Sequence, residues 1–259
     1  MTGVLRLEAR TTWALMRRGL NEILRVPGAA IPGMLAPTIF GLGLTSVFGN
    51  LTSVPGFGTD DYFAFLLPVG YLQAAGFTGA ATGVNLARDI EQGWFDRLLA
   101  SPAPRRAILL GLLLSASLRV LLPISILTIT ALILGVNFPA FPAAVFAVAL
   151  ACAFAAVAAA YAASLALKFK TQSAAPLMQA TVFMLVLFAP AYAPQELLQD
   201  WLRTISEYNP LTPVLEAIRQ GFVEDDVTWS KTWPALLSLL GMGAFTIWLA
   251  TRNLERMNR

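Results

Sequence analysis

The chain has 259 residues, of which 57% are hydrophobic and only 13% charged, and its mean hydropathy is +0.66. A water-soluble chain of this length needs a charged surface that this one lacks, so the composition suits lipid. The net charge of +3 does not point to nucleic acid, because the basic residues fall between long apolar blocks and form no continuous stripe. The absence of His removes His-based nucleophile activation, general bases and metal ligands, and the lone Cys152, set in an apolar run, excludes an intrachain disulfide.

The first segment is studded with Arg and lacks the short apolar core and cleavage site of a signal peptide, so it is expected to be retained. Leu5, Ala9, Trp13, Met16, Leu20 and Ile23 recur at steps of three and four, while Arg6, Arg10 and Arg17 fall to one side. That pattern predicts an amphipathic helix over residues 1–28 lying on the cytoplasmic leaflet, either as a plain anchor or as a contact surface for a partner.

A bilayer core about 30 Å thick needs roughly 20 apolar residues in a helix. Stretches near Ala29–Phe48, Tyr62–Leu86, Ile108–Leu134, Ala143–Leu167, Ala174–Tyr192 and Pro234–Ala250 qualify, which predicts an all-α membrane domain of six spans over residues 29–259. The third carries Arg119 and Pro123, so a tilt, a kink or an interfacial start is expected there. Arg119 is the only clearly intramembrane ionisable residue; it lies near enough to the cytoplasmic side to snorkel, against which stand a paired and a pore-facing role.

The loops alternate in charge. Fourteen of the 18 basic residues fall on the side that also holds both termini, including Arg88, Arg97, Arg105, Arg106, Lys168 and Lys170. The opposite side holds Arg203, Arg219 and Lys231 beside Asp60, Asp61 and acids from Glu196 to Asp226. By the positive-inside rule both termini are cytoplasmic.

Between the second and third spans, Ile90, Trp94, Phe95, Leu98 and Leu99 share one arc of a helix expected at about residues 89–100, with Gln92, Asp96 and Arg97 opposite. Glu91 falls within the apolar arc, where a carboxylate is costly unless paired, so a basic partner such as Arg88 is expected. Ser101-Pro102-Ala103-Pro104 stops the helix and Arg105-Arg106 marks re-entry into the membrane. An ordinary amphipathic connector fits the same pattern. On the outside, over about residues 193–233, Leu197, Leu198, Trp201, Leu202 and Ile205 form one stripe, and Thr212 with Pro213 starts a second helix with Val214, Leu215, Ile218 and Phe222 on one face. Such helices dip into the interface or pack on the spans, as a lid or as a gate. Asn50-Leu51-Thr52 fits a glycosylation acceptor pattern, which matters only in a secretory compartment. No Gly-x-x-x-x-Gly-Lys-Ser/Thr run occurs, so no nucleotide site of that kind is expected in this chain.

Glu91-Gln-Gly93-Trp94-Phe95-Asp96-Arg97-Leu-Leu-Ala-Ser101-Pro102-Ala-Pro-Arg105, followed by Gly111, and Asn209-Pro210-Leu211-Thr212-Pro213-Val-Leu-Glu216-Ala-Ile-Arg219 together resemble the membrane subunit of ABC-2 type exporters, and the short chain is similar to permeases of the daunorubicin-resistance type. The resemblance extends over nearly the whole chain through the span pattern and the N-terminal helix. It implies a permease in a bacterial cytoplasmic membrane that pairs with a second, identical copy and docks on two copies of a separate P-loop ATPase. That ATPase would bind ATP and Mg, with no cofactor or catalytic group in this chain. The cargo would be a hydrophobic or amphiphilic drug, lipid or glycan-lipid, exported across the membrane. The resemblance makes the helix after the second span a coupling element carried by Arg88, Asp89, Glu91, Gly93, Trp94, Phe95, Asp96, Arg97, Pro102 and Arg105. Spans two and five would line the path at the interface between copies, with Gln73, Thr78, Asn85 and Gln179 as polar lining, and Asn209, Pro210, Glu216 and Arg219 carry the external motif. An ion-coupled secondary transporter is the rival reading, and it would be expected to show inverted repeats and buried carboxylates. An intramembrane enzyme would need a cluster of catalytic groups that His-free spans with one charge do not offer.

Overall fold

A bilayer supplies no water to exposed amides, so a chain this apolar must close its backbone hydrogen bonds internally. The computed structural model, which describes residues 2–25, 27–54, 57–137, 141–223 and 227–257, does so with helices alone among the described residues. Side chains of residues 2–5 and 22–34 fall outside the description, and with them those of Leu5 and Ile23 on the predicted N-terminal stripe. Residues 224–226, which close the expected acidic run, also lie outside the described residues.

In chain order the helices are α1 (Thr2–Arg25), α2 (Pro27–Phe48), α3 (Tyr62–Glu91), α4 (Trp94–Leu99), α5 (Arg105–Arg119), α6 (Leu121–Ile133), α7 (Phe141–Phe169), α8 (Ala175–Leu187), α9 (Asp200–Tyr208), α10 (Thr212–Val223) and α11 (Trp229–Arg256). Among the described residues, five stretches are long and apolar enough to cross a membrane: Leu35–Ser53, Tyr62–Glu91, Arg105–Ile133, Phe141–Phe169 and Trp229–Arg256. The 30 residues of α3 reach about 45 Å at 1.5 Å each, comfortably past the hydrocarbon core. The expected fifth span, Ala174–Tyr192, is a shorter apolar helix: the 13 residues of α8 cover about 20 Å before the chain turns irregular at Phe188.

The third span is broken as Pro123 leads one to expect. A proline at 123 has no N–H for the carbonyl of Arg119, and the helix axis is interrupted at Val120, whose own N–H still reaches Ala116. At the start of α3, the Asp61 carboxylate accepts from the N–H groups of Phe63 and Ala64 at 2.9 and 3.1 Å, satisfying two of the donors that a helix start leaves open.

α3 is the enclosed centre of the bundle. α7 runs along it, and α2, α6, α8, α10 and α5 close the remaining sides. What lets α7 approach is the absence of side chains: a Cβ built on Gly79 would lie 2.7 Å from the Ala159 backbone nitrogen, and one on Gly83 would lie 2.6 Å from the Ala162 carbonyl carbon. The facing residues Ala158, Ala159, Ala162 and Ala163 are all buried. In a membrane, where apolar faces gain nothing over lipid, such small-residue seams supply the close van der Waals packing that holds helices together.

α10 buries Val214, Leu215 and Ile218 completely, with Leu211 just before it, and lies against α3, α7 and α11, so this helix packs on the spans, one of the two arrangements expected for it. α9 stays outermost, with Trp201 and Ile205 exposed. The buried Gln220 accepts from the N–H and hydroxyl of Thr228, both at 2.7 Å, and so caps α11 from a neighbouring helix.

Candidate functional site

The C-terminal end of α3 gathers most of the residues that the sequence singles out. The helix does not continue through Trp94: it stops at Gln92, the Gly93 N–H bonds to the Ile90 carbonyl at 3.0 Å, and Gly93 takes a left-handed φ of +69°. The single helix expected over residues 89–100 is therefore corrected to an elbow, in which Asp89 and Glu91 end α3 and Trp94–Leu99 form the separate six-residue α4. Gly93 is the residue type that makes this turn at no steric cost.

The elbow changes the partners of both carboxylates. Glu91 is exposed, not set in an apolar face, and its carboxylate is held by the turn between α7 and α8. It accepts from the Thr171 hydroxyl at 2.7 Å, the Gln172 N–H at 2.9 Å and the Gln172 side-chain amide at 2.6 Å. These are neutral donors, where the sequence pointed to a basic one. The buried carboxylate is Asp89, 8% exposed, which receives both terminal nitrogens of Arg18 at 2.8 Å. The Arg18 guanidinium also lies 3.6 Å from the centre of the Trp94 ring. One side chain of α1 thus grips both arms of the elbow, through a bidentate ion pair and a cation–π contact.

Behind this grip lies a small polar cavity lined by Arg18, Gly19, Thr82, Asn85, Asp89, Ser115 and Arg119, among others. Arg119 does not snorkel. It is 6% exposed and donates from its Nη2 to the Thr82 hydroxyl, in the interior between α3 and α5. On the elbow itself Phe95 is buried with Leu86, Ile108 and Leu109, whereas Asp96, Arg97 and Pro102 are exposed and Arg88 and Arg105 are half-buried. The Ser101 hydroxyl donates to the Leu98 carbonyl at 2.6 Å and closes α4.

The four residues expected to line a path are not brought together. Gln73 is buried and donates to the Tyr192 hydroxyl at 3.0 Å, and Asn85 borders the polar cavity about 18 Å further along α3. Thr78 is half-buried, with its carbonyl bonded to Thr82, and Gln179 faces outward on α8. α3 is enclosed within the chain and leaves little of its surface exposed, whereas α8 leaves more.

The motif from Asn209 to Arg219 works as a fastening. Asn209 donates to the Leu185 carbonyl at 2.7 Å, one of the carbonyls left open by the end of α8, and accepts from the Leu211 N–H at 2.9 Å. Pro210 is exposed and its carbonyl accepts from Ser238; Glu216 is half-buried. Arg219 donates to the Pro190 and Ala191 carbonyls at 3.0 and 3.4 Å and stacks 3.9 Å over Phe65. Asn209→Leu strips both bonds from buried groups and is expected to cost about 2 kcal/mol or more. The apparent Tm in detergent should fall by several degrees, and Asn209→Asp, which keeps the acceptor for Leu211, should fall less. An unchanged Tm in Asn209→Leu would remove this motif from the fastening.

Sequence reasoning missed Arg18, Thr171 and Gln172. Arg18 carried a signal: at 100° per residue it stands apart from Arg6, Arg10 and Arg17. Thr171 and Gln172 carried none.

Compared with known proteins, the chain matches the family model described as ABC-2 type transporter over residues 10–223. It is also 26% identical over 224 residues, covering 85% of this chain and 75% of the other, to a Porphyra purpurea protein named as a transport permease.

Proposed function

Because the chain belongs to the ABC-2 type transporter family, and so is a membrane transport subunit, we propose that it is the permease half of an ATP-driven exporter. In this reading it pairs with a second, identical copy in a bacterial cytoplasmic membrane and is driven by two copies of a separate P-loop ATPase, which bind ATP and Mg. The cargo is a hydrophobic or amphiphilic molecule. The observation that carries the reading is the elbow: a rigid turn at the cytoplasmic end of the central helix, held by Arg18 on one side and by Thr171 and Gln172 on the other, with Asp96 and Arg97 left outward for a partner.

Force applied to α4 would pass directly into α3, because only Gln92 and Gly93 separate them. The test is co-expression with an ATPase that has no spans of its own, measuring ATPase stimulation and export together. Asp96→Lys with Arg97→Glu, both outward, should leave membrane abundance unchanged and lower the two activities together by tenfold or more. Glu91→Lys, which places a cation against three hydrogen-bond donors, should do the same by loosening the elbow from residues 171–172. Wild-type stimulation and export in both variants would overturn the reading.

The topology that goes with it is six crossings with α8 as the short fifth and both termini cytoplasmic, supported by the division of basic residues between loops. In a Cys152→Ser background, a cysteine at Asp60 should react with an impermeant reagent added outside intact cells, and cysteines at Gln92 and Lys170 should not. Outside labelling of Gln92→Cys would sink the orientation.

A further inference from the structure

α1 meets the bundle on a face the apolar periodicity did not indicate. Thr12 donates to the Ala107 carbonyl, and Gly111 on α5 sits so close that a Cβ there would lie 2.8 Å from the Leu15 Cβ; Gly19 packs on Ser115. Ala9 and Trp13 are left exposed, and Met16 and Leu20 are half-buried. Next to this apolar strip stand Arg6, Arg10 and Arg17, all exposed, recurring with Trp13 at steps of four, three and four, and Trp13 is 62% exposed. Arg18, facing elsewhere, is committed to Asp89.

We propose that Arg6, Arg10, Trp13 and Arg17 form a binding surface for anionic phospholipid headgroups. Three guanidinium groups within about 16 Å along one edge of the helix present fixed, bidentate donors suited to phosphate oxygens. Among the described side chains of α1 the acid is Glu8, which falls more than about 100° from each of the three arginines around the helix. The adjoining apolar strip enters the acyl region, Trp13 takes the boundary, and the arginines sit at headgroup depth, away from α5. Zwitterionic lipid offers this row no net charge to answer; anionic lipid does. The inference rests on α1 lying in the cytoplasmic membrane interface.

The full chain is reconstituted into phosphatidylcholine vesicles containing a minority of phosphatidylglycerol, with either lipid brominated on its acyl chains. Quenching of Trp13 is read as the difference between the wild type and Trp13→Phe. Brominated phosphatidylglycerol should quench Trp13 more strongly than brominated phosphatidylcholine at equal mole fraction. Each arginine removed should lower this preference by up to about fivefold. Arg10→Gln should therefore reduce it and Arg6→Gln/Arg10→Gln/Arg17→Gln abolish it, while the triple Lys variant keeps it. Equal quenching by the two lipids in the wild type, or an undiminished preference in the Gln variants, overturns the headgroup assignment and leaves α1 in the interface. Absence of quenching by either lipid removes α1 from the interface and overturns the proposal at its base.

Discussion

Gly83→Val is expected to remove the folded protein from the membrane. The added Cβ would fall 2.6 Å from the carbonyl carbon of Ala162, and the obstacle is backbone, which has no rotamer to give. The only relief is to part α3 from α7 at their closest approach, which costs the packing of both core clusters, since Ala80 and Leu86 lie in one and Tyr71, Leu72 and Phe154 in the other. Overpacking in a core costs about 1–3 kcal/mol when side chains can shift, and this site should exceed that range. Gly79→Val meets the Ala159 nitrogen at 2.7 Å and should behave alike. Gly241, where a Cβ meets nothing within 4 Å, is the control: Gly241→Val should leave abundance unchanged. The measurement is monodisperse yield in mild detergent. Recovery of Gly83→Val at the wild-type level, with an unchanged elution profile, would contradict the seam.

Asp89→Arg should have the second largest effect. It would place a cation against Arg18 in a cavity that Arg119 also lines, and Arg18 would lose its bidentate acceptor. Truncations should be asymmetric. Arg18→Ala leaves a carboxylate whose side chain is only 12% exposed without its ion pair, at about 1–3 kcal/mol. Asp89→Ala leaves an arginine already 41% exposed, which can turn to water at smaller cost. The swap Arg18→Asp/Asp89→Arg should restore stability only in part, because the new arginine faces Arg119. Apparent Tm and ATPase stimulation, measured on the wild type, Arg18→Ala, Asp89→Ala and Arg18→Ala/Asp89→Ala, give the coupling. A coupling energy near zero would mean that the α1 grip on the elbow is incidental.

Hydropathy made the long helices legible, because a lipid-embedded helix announces itself by what it excludes. Pro123 made the break in the third span legible, because the missing N–H is a property of one residue. The elbow was not. Counting 100° per residue across Gly93 assumes a negative φ there, and a single positive φ rotates Trp94 and Phe95 away from the face that Ile90 and Glu91 share. Glu91 drew attention to a basic partner because charge is what a sequence displays, whereas Thr171 and Gln172, some 80 residues away, are neutral. Depth favours snorkelling for Arg119 over a paired role, and depth does not say whether a helix face meets lipid or, as here, the hydroxyl of Thr82. The seam between α3 and α7 was hidden for a different reason: Gly and Ala score as mild apolar filler, although their lack of volume is the feature that matters.

That lack of volume divides the chain into positions with unequal freedom to vary. On the outer face of α11, Leu237, Leu240 and Phe245 are more than half exposed and any apolar side chain would serve, so random substitution there should pass selection almost unfiltered. At Gly79, Gly83, Ala159 and Ala162 nearly every amino-acid substitution adds atoms where there is no room. A saturation library selected for membrane insertion should therefore show drift concentrated on the periphery and a narrow stripe of near-immobility along the centre, set by geometry before any demand of transport is applied.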